Sequence, residues 1–188
     1  MFETLSHDVP EPGVATAVWL QRVQVQRGSQ AGLLDVLAMT EKHLAWVAAI
    51  QTKALAELDA ATDASPDVVP APGWDSHQRN DAKRSIATEV GLVLKIPAQY
   101  AYDRLLGARL LVQRAPRAVE LLASGLMNSV QTRDLAHALI DLADRPGSEA
   151  GEAIEKVLNR VLDRAVDDST TRFRERLRRA VMSAAPRT

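Results

Sequence analysis

The stretch from Glu89 to Ala143 decides the fold, and its first part, residues 89–111, reads Glu-Val-Gly-Leu-Val-Leu-Lys-Ile-Pro-Ala-Gln-Tyr-Ala-Tyr-Asp-Arg-Leu-Leu-Gly-Ala-Arg-Leu-Leu. Pro97 ends one helix, because the residue before a proline is pushed out of the α region, and it suits the first turn of the next helix. This arrangement predicts two helices joined at a tight break, which is the outline of a helix-turn-helix. Apolar residues three and four positions apart give each helix one apolar face: Val90, Leu94, Ala101, Leu105, Ala108 and Val112.

Helical patterns continue on both sides of this centre. Downstream, Ala115-Pro116 begins a short helix to Leu122–Gly125, and further helices are predicted over 131–143, 150–166 and 171–181. The fold class is therefore all-α: a multi-helix bundle with one long N-terminal helix and a helix-turn-helix-like centre. The predicted parts are an N-terminal segment (1–28, partly ordered), the long helix (29–61), a linker loop (62–79), a helical domain (80–183) and a tail (184–188).

The long helix is predicted because residues 29–61 contain no proline and only one glycine. Near-heptad spacing links six of its apolar residues: Leu33, Leu37, Leu44, Val47, Leu55 and Leu58. Thr40 and Gln51 are polar interruptions of the same face. A helix of this length needs a long partner, which is either a later helix of the same chain or a second copy in a coiled-coil-like homodimer.

Composition narrows the functional classes. Apolar residues make up 46% of the 188 residues, which supplies a sizeable core. The net charge of −1 means that any contact with nucleic acid requires a local concentration of positive charge. Cysteine is absent, which excludes disulfides and thiolate–metal sites. Because neither a signal peptide nor a membrane-spanning run is recognised, a cytoplasmic protein with no membrane partner is expected.

No catalytic constellation is found in the sequence. The four histidines are scattered without metal-ligand spacing, and no phosphate-binding glycine loop occurs. The carboxylates stand beside arginines, in the manner of a solvated helix surface. The interpretation is that this chain is not an enzyme by itself and holds neither a metal nor another cofactor.

The central stretch and the helix before it resemble the actinobacterial 13E12 repeat family, whose N-terminal helical domain (domain of unknown function 222) precedes an HNH endonuclease module. The resemblance covers roughly residues 30–183. The matching segments are Ala54-Leu-Ala-Glu-Leu-Asp59, Ala87-Thr-Glu-Val-Gly-Leu-Val-Leu-Lys-Ile-Pro-Ala98, Ala108-Arg-Leu-Leu111, Ala115-Pro-Arg-Ala-Val-Glu-Leu-Leu-Ala-Ser-Gly125 and the closing arginine-rich helix. The family's paired histidines and asparagine, which bind a divalent metal, would follow the last helix and are absent here. The resemblance thus implies nuclease activity for a longer chain only.

Two functional hypotheses follow. The first is a DNA-binding or targeting module of an HNH nuclease or mobile-element protein that contacts double-stranded DNA. Its candidate contact residues are Gln99, Tyr100 and Arg104 in the second helix of the centre and Arg172, Arg176 and Arg179 in the last helix. A weaker similarity links the Ile96-Pro97 and Leu122–Gly125 segments to partition-type DNA-binding proteins. The alternative is a helical dimerisation or protein-interaction domain without nucleic-acid binding.

Overall fold

The computed structural model describes residues 11–23, 29–64, 76–144 and 149–184, and every regular element within these ranges is a helix. This result confirms the predicted all-α class. The elements in chain order are α1 (Val14–Arg22), α2 (Gln30–Ala64), α3 (Ser76–Leu94), α4 (Ala98–Arg114), α5 (Pro116–Ala123), α6 (Ser129–Ala143), α7 (Glu149–Val161), a short 3-10 turn (Leu162–Arg164) and α8 (Thr170–Ala184).

Helix α2 is 35 residues long, which corresponds to about 52 Å. It packs against α1, α3, α4 and α5 of the same chain. The residues it buries are mainly small, which lets the neighbouring helices approach closely: Met39, Ala45, Ala49, Leu55 and Ala56. Two polar contacts fix α2 to α4, because Arg104 Nη2 donates to Gln51 Oε1 at 2.5 Å and Arg109 Nη1 lies 3.1 Å from Asp59 Oδ2.

Helices α3 and α4 pack side by side over several turns, with a break at Lys95–Pro97. The backbone N–H of Ile96 donates to the Gly91 carbonyl at 2.9 Å and closes the turn. A Cβ on Gly91 would lie 2.9 Å from the Ile96 carbonyl oxygen, so only glycine leaves room for this turn. The apolar faces predicted on either side of Pro97 meet in one cluster that also receives Leu55 of α2: Leu55, Ala56, Ala87, Val90, Ala101, Leu105 and Ala108.

The largest core lies among α4 to α8. Phe173 of α8 is fully buried there, together with Leu135 and Leu139 of α6 and Val157 and Val161 of α7. Apolar residues at helical spacing on α6, α7 and α8 therefore face one another. This core fixes α8 against α7 and so determines where the side chains of the last helix emerge.

A polar network joins the start of α6 to the start of α8. Asn128 and Gln131 form a capping box, in which each side chain accepts from the other residue's backbone N–H. The Gln131 Nε2 atom also donates to the Asp168 carbonyl at 2.9 Å, and Asn128 Nδ2 donates to Thr170 Oγ1 at 3.1 Å. Gln131 is buried, so its hydrogen bonds satisfy a side chain that would otherwise lose water without compensation.

Several predicted boundaries differ from the observed ones. Helix α2 continues to Ala64 and α3 begins at Ser76, so helix extends into both ends of the predicted linker at 62–79; residues 65–75 lie outside the described part. The helix predicted over 150–166 ends at Val161 and continues as the 3-10 turn. The N-terminal segment contains a helix of nine residues, α1. Among the described residues, no helix is long and apolar enough to cross a membrane.

Candidate functional surfaces

The solvent-facing side of α2 carries a line of large apolar side chains, here called the α2 stripe. Each is exposed over more than a third of its surface: Leu34 (50%), Leu37 (62%), Leu44 (54%), Val47 (46%), Ile50 (51%) and Leu58 (37%). The exposed Ala54 lies on the same side. Single exposed leucines are ordinary, but Leu37, Leu44, Val47 and Leu58 line up along one face of the helix, with Leu34 and Ile50 on either side, and a large exposed apolar surface of this kind is a candidate interaction site.

Three residues of the α2 stripe, Leu37, Leu44 and Leu58, share a seven-residue spacing with the half-buried Gln51. Val47 and Ala54 lie between them in the sequence. This spacing is that of a coiled-coil seam. The residues of the predicted heptad pattern therefore lie on two different surfaces of α2. Leu55 is buried under α3 and α4, whereas four of the others stay exposed: Leu37, Leu44, Val47 and Leu58. Gln51 is engaged by Arg104, and the Thr40 hydroxyl donates to the Val36 carbonyl at 2.7 Å.

The candidate residues at the start of α4 are only partly available. Gln99 is exposed, and its Nε2 atom donates to Asp103 Oδ1 at 3.3 Å. Tyr100 is half-buried. Arg104 was predicted to face solvent as a base-reading residue, but it is half-buried and its guanidinium is bonded to Gln51 of α2. The long α2 helix, which lies beside α4, is the physical reason for this difference.

The arginines of α8 come together with Arg160 of α7 around an open cleft of about 370 Å³, here called the α7–α8 cleft. Its lining residues are Arg160, Thr171, Arg172, Glu175, Arg176 and Arg179. Three of these arginines, Arg172, Arg176 and Arg179, are the candidate contact residues predicted in the last helix, and the structure brings them to one surface. Arg160 was missed, because its place beside α8 depends on the packing of α7 and not on spacing within one helix.

Two of the three predicted arginines of α8 have partners within the chain. Arg176 donates to both carboxylate oxygens of Asp168, at 2.7 and 3.0 Å, and the Asp168 side chain is only 6% exposed. Arg179 donates twice to Glu175 Oε1, at 3.0 and 2.9 Å, and both side chains are exposed. Arg172 and Arg160 are exposed, and within the described ranges neither forms a salt bridge.

The Asp168–Arg176 pair perturbs both ionisations. The Arg176 hydrogen bonds hold the pKa of the Asp168 carboxyl below its ordinary value, and the nearby charges of Arg172 and Arg164 lower it further. In return, the pKa of Arg176 is raised by Asp168. The hydrogen bonds from Arg179 likewise lower the pKa of Glu175. Both carboxylates are therefore charged near neutral pH, and each neutralises part of the positive charge around the cleft.

The Asp168→Asn variant is expected to lose stability in a pH-dependent manner. Because the folded-state pKa of Asp168 is lowered, the stabilisation is fully present above the ordinary carboxyl pKa and disappears as pH falls through the folded value. We expect the variant to melt about 2–8 °C below the native chain at pH 6, and this gap to narrow from about pH 5 downward. Melting curves from pH 6 to pH 3 measure it. A gap that stays constant with pH would contradict the assigned ion pair.

The described ranges contain no group of three histidine, aspartate or glutamate side chains placed to hold a metal ion. His43 of α2 lies against Trp46, with ring centroids 5.2 Å apart and the two ring planes tilted by 37°. Within the described ranges, the candidate interaction surfaces are thus the α2 stripe and the α7–α8 cleft.

Comparison of the chain with protein-family models, curated proteins and solved structures finds no significant match.

Proposed function

We propose that this chain is a helical assembly module that forms a homodimer through the α2 stripe. The observation that carries the proposal is the row of six large apolar side chains on one side of α2, each between 37% and 62% exposed. Water contact of so much apolar surface is unfavourable, and burying the exposed half of one leucine stabilises by about 1 kcal/mol. A second apolar helix against this row removes that cost.

Self-complementarity supports a second copy as the partner. In a symmetric dimer the same patch is used twice, so each facing pair of residues occurs twice. An antiparallel pairing that sets Leu44 opposite Val47 of the second copy also sets Leu37 opposite Ala54. The same register sets Thr40 opposite Gln51, which places the two polar interruptions together. Polar residues that face each other in an apolar seam favour one register over its neighbours.

The charge distribution on α2 agrees with this partner. Between Leu44 and Ile50 no residue of α2 is charged, and the Arg104 guanidinium beside this part of the helix is bonded to Gln51. Two copies can therefore meet there without burying an unpaired charge of α2. A partner with an acidic or basic helix face would instead leave its own charges without counterparts. The stripe from Leu37 to Leu58 extends over about 32 Å, which is long enough for several layers of a helical pair.

The double variant Leu44→Glu/Val47→Glu tests the proposal. Two carboxylates per chain in the centre of the seam repel those of the second copy and would have to lose water. We expect the dimer Kd to rise by at least about 100-fold, measured by size-exclusion chromatography with light scattering. Far-UV circular dichroism checks that the helices remain folded.

A matched control is available on α3. Leu92 and Val93 are 76% and 80% exposed, so Leu92→Glu/Val93→Glu makes the same chemical change outside the stripe. This control is expected to remain dimeric. If the native chain is monomeric, or if the α2 variant and the α3 control weaken association equally, the stripe is not the dimer seam.

A further inference from the structure

We propose that the α7–α8 cleft binds the phosphodiester backbone of double-stranded DNA. Four guanidinium groups line the cleft, against the Glu175 carboxylate on its surface and the Asp168 carboxylate bonded to Arg176, which leaves a local excess of positive charge although the whole chain has a net charge of −1. Positive charge is therefore concentrated on one surface, as a protein without excess basic residues requires for binding a polyanion. The inference does not rest on the α2 dimer, because the cleft is complete within one chain.

The arginines of the cleft divide into a fixed pair and a free pair. Asp168 and Glu175 hold the guanidinium groups of Arg176 and Arg179, so these two have little freedom to lose on binding. Arg160 and Arg172 are exposed and form no salt bridge within the described ranges. They can donate to phosphate oxygens without breaking an internal ion pair. We therefore assign the direct phosphate contacts to Arg160 and Arg172.

The shape of the cleft favours an extended anion over a small one. Pockets for small ligands enclose most of the ligand surface, whereas this cleft is a shallow opening between exposed side chains of two helices. Its arginines extend along α8 from Arg172 to Arg179, a rise of about 10 Å, and across to Arg160 on α7. A single phosphate ion would contact only a part of this surface, whereas several consecutive phosphates of a DNA strand would extend along the whole α7–α8 cleft.

Binding of this type is expected to be independent of base sequence, because the contacts assigned to Arg160 and Arg172 are to phosphate oxygens and not to base edges. Backbone contacts made by arginine carry affinity but no sequence information. Affinity should therefore depend on salt, because each neutralised phosphate releases counterions.

The test is the binding of the full chain to a fluorescent 30-base-pair duplex of random sequence over a series of salt concentrations. We expect measurable affinity at low salt, and the logarithm of the association constant should fall linearly with the logarithm of the salt concentration. In the Arg160→Ala/Arg172→Ala variant the slope of this line should be smaller in magnitude by about 2, one for each lost phosphate contact. The charge-matched control is Arg22→Ala/Arg84→Ala, which removes two exposed arginines from α1 and α3 and should leave the slope unchanged.

A variant that binds the duplex more tightly than the native chain is a further test, because a loss of folding stability would only weaken binding. Glu175→Gln removes the one negative charge that lines the cleft and leaves the charge of Arg179 without a counterion, so this variant should bind the duplex more tightly than the native chain. Absence of duplex binding by the native chain at low salt would overturn the proposal. Equal slopes for the native chain and the Arg160/Arg172 variant would do so as well, as would unchanged or weaker binding by Glu175→Gln.

Discussion

Replacing Phe173 by alanine is expected to lower the free energy of unfolding by about 3–5 kcal/mol, one of the two largest effects that the structure suggests for a single side chain. Phe173 is fully buried, and it packs with leucines of α6 and valines of α7. Removal of the ring leaves a cavity among three helices that cannot all shift to fill it. Because this residue docks α8, the arrangement of the α7–α8 cleft should be disturbed as well.

Urea denaturation followed by circular dichroism measures the effect. Phe173→Leu serves as the control, since it keeps most of the apolar volume and should cost clearly less than the alanine variant. A loss below about 1 kcal/mol for Phe173→Ala would mean that α8 is not anchored in this core.

Replacing Gly125 by alanine is expected to destabilise by about 2–5 kcal/mol, for two separate reasons. The backbone of Gly125 has a φ of 72°, a left-handed conformation that costs other residues about 1–2 kcal/mol. A Cβ at this position would also lie 3.0 Å from the Cα atom of Lys42 and closer still to its side chain. The corner between α5 and α6 would have to move away from α2, and overpacking of this kind costs a further 1–3 kcal/mol or so.

Gly151→Ala is a control, because this glycine-to-alanine change is expected to raise stability where Gly125→Ala lowers it. Gly151 lies inside α7, and a Cβ there would meet no atom within 4 Å. Because alanine favours a helix over glycine by about 1 kcal/mol, Gly151→Ala should raise the melting temperature by a few degrees. If both glycine variants change stability in the same direction and by similar amounts, then the close approach of α5 and α2 is not what makes Gly125 necessary.

The sequence determines the helical elements well because their signals are local. Pro97 marks the turn between α3 and α4, and Pro116 occupies the first turn of α5, as expected. Boundaries were less accurate where no proline or glycine stops a helix. At Ala64, for example, α2 extends past the predicted end, since Thr62 and Asp63 tolerate a helix although they resemble a loop.

Side-chain availability could not be predicted from spacing. Arg104 was a candidate DNA-contact residue, yet α2 supplies Gln51 as its partner from 53 positions earlier in the chain. Arg176 was a candidate as well, but its guanidinium is bonded to Asp168, on the turn before α8. Both contacts join residues that only the tertiary packing brings together. The same reason explains why Arg160 was not identified as part of the α7–α8 cleft.

The resemblance to the 13E12 repeat family remains a prediction, and the two proposed surfaces can be tested without it. A targeting module of a nuclease would need a surface for DNA backbone, which we place between α7 and α8. An assembly module would need an apolar seam, which we place on α2. Because these surfaces use different helices, the α2 and cleft variants should affect association and DNA binding separately.

Sedimentation equilibrium of the unmodified chain over a range of micromolar concentrations tests the dimer most directly. The chain has a mass of 20.5 kDa. Burial of the α2 stripe against a second copy predicts a particle of about twice that mass, with dissociation only on dilution. A mass that stays at 20.5 kDa at every concentration would contradict the proposed assembly function.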